Sequence, residues 1–189
     1  MNKKIAAALS GGAALMLVLS GCGGGDDTDQ KASSWAKKVC DQWQPQIQKI
    51  EAANVEIKRV ASESSKPDEV QKTDSAAFAT MTESYKAMAD ALRSAGVPPV
   101  KNGSATQEAA AKGFETTSTG YADLKTKTDA LDPQDKTKFA DGLKEVAGGL
   151  KDVTKGGQDA LATLKAGGLG PAINSQKGCQ VAAAPASGQ

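Results

Sequence analysis

The sequence predicts an all-α protein, an up-down-up-down four-helix bundle. Four segments carry apolar residues at alternating spacings of three and four, which is typical of a helix face that packs against other helices. Hardly any stretch alternates apolar and polar residues as a strand does. The 189 residues include only 2 Trp, 2 Tyr and 3 Phe. We therefore expect a core of small side chains on closely packed helices.

The first predicted helix is the least regular. Trp35, Val39 and Trp43 share one face, and the apolar pattern resumes after Pro45. The later apolar positions are Ile47, Ile50, Ile57 and Val60. Because proline lacks a backbone N–H and its ring clashes with the preceding turn, we expect a short helical turn before Pro45 and a long helix after it.

The second and third predicted helices have aromatic residues on their apolar faces. The second face consists of Phe78, Met81, Tyr85, Met88 and Leu92. The third consists of Ala110, Phe114, Thr117, Tyr121, Leu124, Thr128 and Leu131. The second helix should end near Gly96, and residues 97–99 should form an extended link. Residues 104–107 have the form of a capping box that opens the third helix. Aromatic residues at this spacing indicate core packing rather than a ligand cage.

The fourth predicted helix has the clearest signals at both ends. Asp132 followed by Pro133 predicts its start, and Gly167-Gly168 predicts its end. Its apolar face consists of Phe139, Leu143, Val146, Leu150, Val153, Gly157, Ala160 and Leu164. Three further glycines, at positions 142, 149 and 156, follow one another at intervals of seven. Since glycine has no side chain, a neighbouring helix can approach closely along this stripe.

Cys40 and Cys179 are predicted to form a disulfide. In an up-down-up-down bundle both chain ends lie at the same end, so a cysteine early in the first helix can meet one that follows the fourth. Leu169 and Ile173 should cover that end of the bundle. Export to an oxidising compartment would favour the pairing. A metal site built on the two cysteines is the competing interpretation.

The N-terminus has the anatomy of a signal peptide. Two lysines precede an apolar run that ends at Leu19-Ser20-Gly21-Cys22. This segment resembles the lipobox of bacterial lipoproteins, and the chain as a whole resembles small secreted lipoproteins of Gram-positive bacteria such as actinobacteria. The lipobox resemblance covers the leader alone, whereas the second resemblance is generic and concerns architecture and location. The lipobox resemblance implies that Cys22 becomes the diacylglyceryl-modified first residue of a protein attached to the outer face of the cell membrane. The alternative is an ordinary secretory signal that leaves Cys22 as a free thiol.

These features predict four regions along the chain. Residues 1–21 form the lipoprotein signal peptide, and residues 22–32 contain the lipidated cysteine and a flexible tether. The bundle domain spans residues 33–180, and residues 181–189 form a disordered tail.

Composition narrows the function classes. The chain has no histidine, which removes the commonest general base and the usual zinc and haem ligand. We find no catalytic constellation, so we expect neither an enzyme nor a cofactor. Loss of Lys3 and Lys4 with the signal peptide changes the formal net charge from +1 to −1, which argues against a nucleic-acid partner.

Two functional hypotheses remain. The first is a non-catalytic interaction module that contacts an envelope protein or a wall polymer. The alternative is an extracytoplasmic carrier that binds a small apolar ligand within the helical bundle.

Overall fold

The computed structural model describes residues 24–62 and 65–180. Four long helices form a bundle, which confirms the predicted fold class. They are α1 (Gly24–Ser62), α2 (Pro67–Ser94), α3 (Gly103–Asp129) and α4 (Lys136–Leu164). A π-helical turn (Lys165–Leu169), the short helix α5 (Gly170–Asn174) and a 3-10 turn (Lys177–Cys179) follow. The predicted lipidation site Cys22, the signal peptide and the tail 181–189 lie outside the described residues.

Helix α1 begins earlier than the sequence indicated. It starts at Gly24, so the prediction of a flexible tether over residues 22–32 is wrong from residue 24 onward. Asp27 and Asp29 lie near the positive end of the helix dipole, where a negative charge is stabilising. Lys31 Nζ lies 3.2 Å from Asp27 Oδ2 one turn earlier, and Ala32 is buried in the core.

Helix α1 also continues through Pro45, so the predicted interruption is wrong. Proline inside a helix costs about 3 kcal/mol. Pro45 lies on the exposed face, whereas Val39 and Trp43 are fully buried on the opposite face. The Trp43 indole N–H donates to Met88 O at 3.0 Å. Burial of each of these side chains stabilises by roughly 1.5–3 kcal/mol, which offsets the cost of the proline.

The turn between α2 and α3 differs from the predicted capping box. Helix α3 begins at Gly103, after Asn102 in the left-handed conformation with φ 59°. The Gln107 side chain does not reach back to its own helix. Its amide instead donates to two carbonyls at the end of α2, those of Leu92 and Gly96. Trp35 of α1 also donates to Gly96 O, at 2.6 Å, so α1 and α3 both hydrogen-bond the C-terminal end of α2.

Helix α4 begins three residues later than predicted. Asp135, not Asp132, is the N-cap, and its carboxylate accepts from Lys138 N at 3.1 Å. Asp132 accepts from Gln134 N at 2.9 Å, which makes a turn that precedes the helix. The π-helical turn continues the helical backbone of α4 beyond Leu164, and Gly168, with a φ of 94°, interrupts it as predicted.

Helices α3 and α4 pack closely through glycines on both partners. A Cβ atom added at Gly149 or Gly156 would meet Leu124 or Thr117 of α3, at 2.9 and 3.4 Å, and one added at Gly142 would clash with Leu131, just after the end of α3. The reverse arrangement holds at Gly120, which faces Val153, and at Gly113, which faces Ala160. Positions seven residues apart on α4 therefore face positions seven residues apart on α3, in the opposite chain direction. The predicted close approach is confirmed, with α3 as the neighbouring helix.

Consecutive helices pack against each other, whereas α1 and α4 do not form an extensive contact. One end of the bundle is closed by a disulfide between Cys40 and Cys179, with Cα atoms 4.9 Å apart. Leu169 and Ile173 are fully buried beneath it, as predicted. We call this the disulfide end, and the opposite end, where α1 leads into α2, the distal end. A separate core cluster occupies each end.

Candidate functional site

The open side of the bundle lies between α1 and α4. A cavity of ≈270 Å³ follows this side near the disulfide end, and we call it the α1/α4 groove. Tyr85, Met88 and Phe114 of α2 and α3 line it, and Cys179 contributes from the disulfide. The remaining lining residues come from the two flanking helices: Trp43, Ile47, Ile50, Glu51, Asn54, Thr154, Gly157, Gln158 and Leu161. The groove is therefore mostly apolar, with a few polar groups, as ligand sites usually are.

Five aromatic rings form a row through the core beside this groove. Trp43 meets Phe114 edge-on, with ring centroids 5.2 Å apart. Tyr85 stacks between Phe114 at 6.1 Å and Tyr121 at 5.4 Å, and Phe78 follows Tyr121 at 6.2 Å. The prediction that the aromatic residues are core packing is confirmed for this row. Tyr85, which is only partly buried, serves both as a core ring and as part of the groove lining.

Gly157 sets how closely α4 approaches Tyr85. A Cβ atom at this position would lie 3.1 Å from Cε1 and 3.2 Å from the hydroxyl of Tyr85. The backbone of α4 therefore rests against the ring because residue 157 has no side chain. Burial and the neighbouring Tyr121 raise the pKa of Tyr85 well above its usual value. The phenol accordingly stays neutral and is able to donate or accept a hydrogen bond in the groove.

A second cavity, of ≈400 Å³, lies at the distal end between α1, α2 and α4, and we call it the distal cavity. Nine of its lining residues are apolar: Ile57, Val60, Ala61, Val70, Phe78, Leu143, Val146, Ala147 and Leu150. The tenth is Asp74, which is 8% exposed. Its Oδ1 atom is buried without a hydrogen-bond partner among the described residues. Burial raises the pKa of this carboxyl to about 6.

The sequence analysis did not identify Asp74 as a site residue. A signal was present, because Val70, Asp74 and Phe78 are spaced by four and so lie on the same face of α2. An aspartate between two inward-facing apolar residues indicates a buried carboxyl. The predicted apolar face of α2 begins at Phe78, so it does not include residue 74.

The widest of the cavities that we compare, ≈510 Å³, lies between α1 and α2. It is lined by short side chains such as Ala53 and Ala77 and bordered by the exposed Lys49, Glu56 and Lys72. It is a surface depression over alanine residues. It lacks the buried polar group of the distal cavity and the aromatic lining of the groove. We do not consider it a site.

Of the site residues predicted from the sequence, Cys179 lines the α1/α4 groove, whereas Cys22 lies outside the described residues. Cys40 and Cys179 form the disulfide rather than a metal site. Within the part of the chain that the structure describes, no group of His, Cys, Asp and Glu is arranged to hold a metal ion. No helix in the same residues is long and apolar enough to cross a membrane. Comparisons with protein-family models, curated proteins and solved structures find no match to this chain.

Proposed function

We propose that this protein is a non-catalytic carrier, attached to the outer face of the cell membrane through acyl chains on Cys22, that binds a small apolar ligand in the α1/α4 groove. The observation that carries the proposal is the separation of α1 from α4, which leaves Tyr85, Met88 and Phe114 lining an open cavity. In a closed bundle these faces would bury each other. Here the apolar faces of both helices line the groove.

The composition of the groove supports a ligand that is mainly hydrocarbon with one polar group. Ile47, Ile50 and Leu161 are only partly buried in the protein alone, so a ligand between them removes further apolar surface from water. Each Å² removed contributes about 25 cal/mol. The neutral Tyr85 hydroxyl and Thr154 are available for a polar group, because both line the groove.

Retention of a ligand tests this proposal. The protein is purified from its own membranes, and bound small molecules are measured by native mass spectrometry. Ile47→Gln places a polar side chain in the groove, and Val55→Gln is the matched control because Val55 is 60% exposed on the same helix. We expect ligand on the wild type and on Val55→Gln, and its loss from Ile47→Gln at a temperature where the melting curve shows that this variant is still folded, because Ile47 also packs against the core. Equal retention by both variants, or no ligand on the wild type, would contradict the carrier.

A second candidate, an interaction module for an envelope protein, is favoured by the position of the groove on the outside of the bundle. It predicts a co-purified protein that Ile47→Gln releases and Val55→Gln retains, in place of a small molecule. Chemical crosslinking in intact cells before purification distinguishes the two candidates.

The membrane attachment depends on one side chain. Cys22→Ala removes the thiol that carries the acyl chains, and two chains are needed for stable anchoring. We expect the variant to be released by carbonate and salt washes that leave the wild type in the membrane fraction. If the variant remains as firmly bound as the wild type, the lipoprotein interpretation is wrong.

A further inference from the structure

We propose that the distal cavity is a second binding site, which takes a small amphipathic amine by pairing its ammonium group with the Asp74 carboxylate and burying its hydrocarbon chain among the apolar residues. This inference goes beyond the proposed function. Among the described residues, the distal cavity and the α1/α4 groove have no lining residue in common. An experiment that rejects one of the two sites therefore does not reject the other.

The first argument is the state of Asp74. A buried polar atom in a native protein normally has a hydrogen-bond partner, and burial of an unpaired charge is costly. Asp74 Oδ1 has no such partner among the described residues, and the side chain is more than nine-tenths buried. A ligand that donates to this oxygen would remove the penalty, and a cationic donor would remove most of it.

The second argument is that the described residues supply no cation to the cavity. Among them, Asp74 is the one ionisable side chain in the lining. Arg59 belongs to the same stretch of α1 as Ile57 and Val60, but its guanidinium pairs with Glu56 at 3.0 Å and with Glu69 at 3.4 Å. All the other described residues that line the cavity with Asp74 are apolar.

The third argument concerns size and chemistry. Cavities of about 300–1,000 Å³ accommodate small ligands, and this one measures ≈400 Å³. One carboxylate among apolar side chains provides too few oxygen ligands for Ca²⁺ or Mg²⁺. It fits a single ammonium group joined to a short apolar chain.

Calorimetric titration of the full chain carrying Cys22→Ala tests the site. Octylamine is the cationic probe, and 1-octanol is the neutral probe of the same chain length. Asp74→Asn keeps the shape and removes the charge, while Asp90→Asn is the control because Asp90 is exposed on the same helix. We expect Asp74→Asn to weaken octylamine binding at least about tenfold, the factor set by one hydrogen bond to a charged group. Octanol binding to that variant should not fall, and Asp90→Asn should leave both unchanged.

A third variant locates the amine. Ala147→Phe places a ring at the cavity, because Ala147 lines it from α4 and is an exposed residue. It should weaken octylamine binding, whereas Ile47→Gln in the α1/α4 groove should not. Melting curves establish that each variant is folded.

Three results would overturn the inference. The first is wild-type protein that does not bind octylamine, or binds it no better than octanol. The second is full octylamine affinity in folded Asp74→Asn. The third is octylamine binding that Ile47→Gln abolishes and Ala147→Phe leaves intact, which would assign the amine to the groove. By contrast, a groove that retains no native ligand would contradict the proposed carrier function but not this inference.

Discussion

The disulfide end and the distal end of the bundle are held together in different ways. At the disulfide end the covalent crosslink joins α1 to the end of the chain, and Trp35, Trp43, Leu169 and Ile173 are buried in one core cluster. At the distal end the smaller core cluster borders a cavity of ≈400 Å³ that contains an unpaired carboxyl. We therefore expect the disulfide end to contribute more to stability than the distal end, which contains a cavity and a buried carboxyl. Substitutions and changes of pH should have different effects at the two ends.

Removal of the crosslink should have the largest effect. Cys40→Ser combined with Cys179→Ser opens a loop with a sequence separation of 139. The chain-entropy model assigns such a loop up to about 5 kcal/mol of unfolding free energy. Denaturant titration followed by circular dichroism measures the loss, and helicity at low denaturant should persist. The control is reducing agent, which should destabilise the wild type and leave the double variant unchanged. Equal midpoints for the oxidised wild type and the double variant would show that the disulfide end does not depend on its crosslink.

Truncation of one leucine at each end compares the packing directly. Leu92 is fully buried at the disulfide end, so Leu92→Ala should cost about 3–5 kcal/mol of unfolding free energy. Leu150 is partly buried and borders the distal cavity, so Leu150→Ala should cost less, about 1–2 kcal/mol, because less surface is lost from the core. Thermal or denaturant unfolding of both variants provides the measurement. An equal or larger cost at Leu150 would contradict the difference in packing.

The Asp74 carboxyl should make the distal end sensitive to pH. Burial raises its pKa from 3.8 to about 6 in the folded protein, so between these values the folded state binds more protons than the unfolded state. This contribution favours folding fully below pH 3.8 and is lost as the pH rises through about 6. Without ligand, Asp74→Asn should therefore be more stable than the wild type by about 2 kcal/mol near neutral pH.

That advantage should shrink as the pH falls toward 4. Unfolding curves across this range measure the difference between the two proteins, so that other titrating groups cancel. Asp90→Asn, at an exposed position of the same helix, is measured beside Asp74→Asn as the control. A gap between wild type and Asp74→Asn that does not change with pH would show that Asp74 titrates normally.

Two adjacent glycines in α4 provide the smallest and most local test. A Cβ atom at Gly148 meets nothing within 4 Å, whereas one at Gly149 would lie 2.9 Å from Leu124 Cδ2. Gly148→Ala should stabilise the helix by about 0.5–1 kcal/mol. Gly149→Ala gains the same helix propensity but forces Leu124 to shift, so it should be less stable than Gly148→Ala. Melting temperatures of the two variants decide the order, and the reverse order would argue against the close α3–α4 packing.

Part of this architecture was predictable from the sequence because it depends on local patterns. Apolar periodicity identified the four helices, and Gly168 was recognised as the end of the helical run. The stripe of glycines at 142, 149 and 156 predicted a close helix contact, which α3 provides. Topology placed Cys40 near Cys179. The helix faces and the glycine stripe need only the direction in which a side chain leaves its own helix, and the cysteine pairing needs only the order of the helices.

The start of α1, its passage through Pro45 and the caps of α3 and α4 were decided by tertiary structure. Burial of Val39 and Trp43 outweighs the local preference of Pro45, and Gln107 bonds the end of α2 rather than its own helix. The candidate sites have the same origin. Periodicity indicates which face of a helix is apolar, but not that α1 and α4 leave their apolar faces apart, or that Asp74 meets hydrocarbon from three helices. Those facts depend on how whole helices pack, because an apolar face gains similar free energy against any apolar partner.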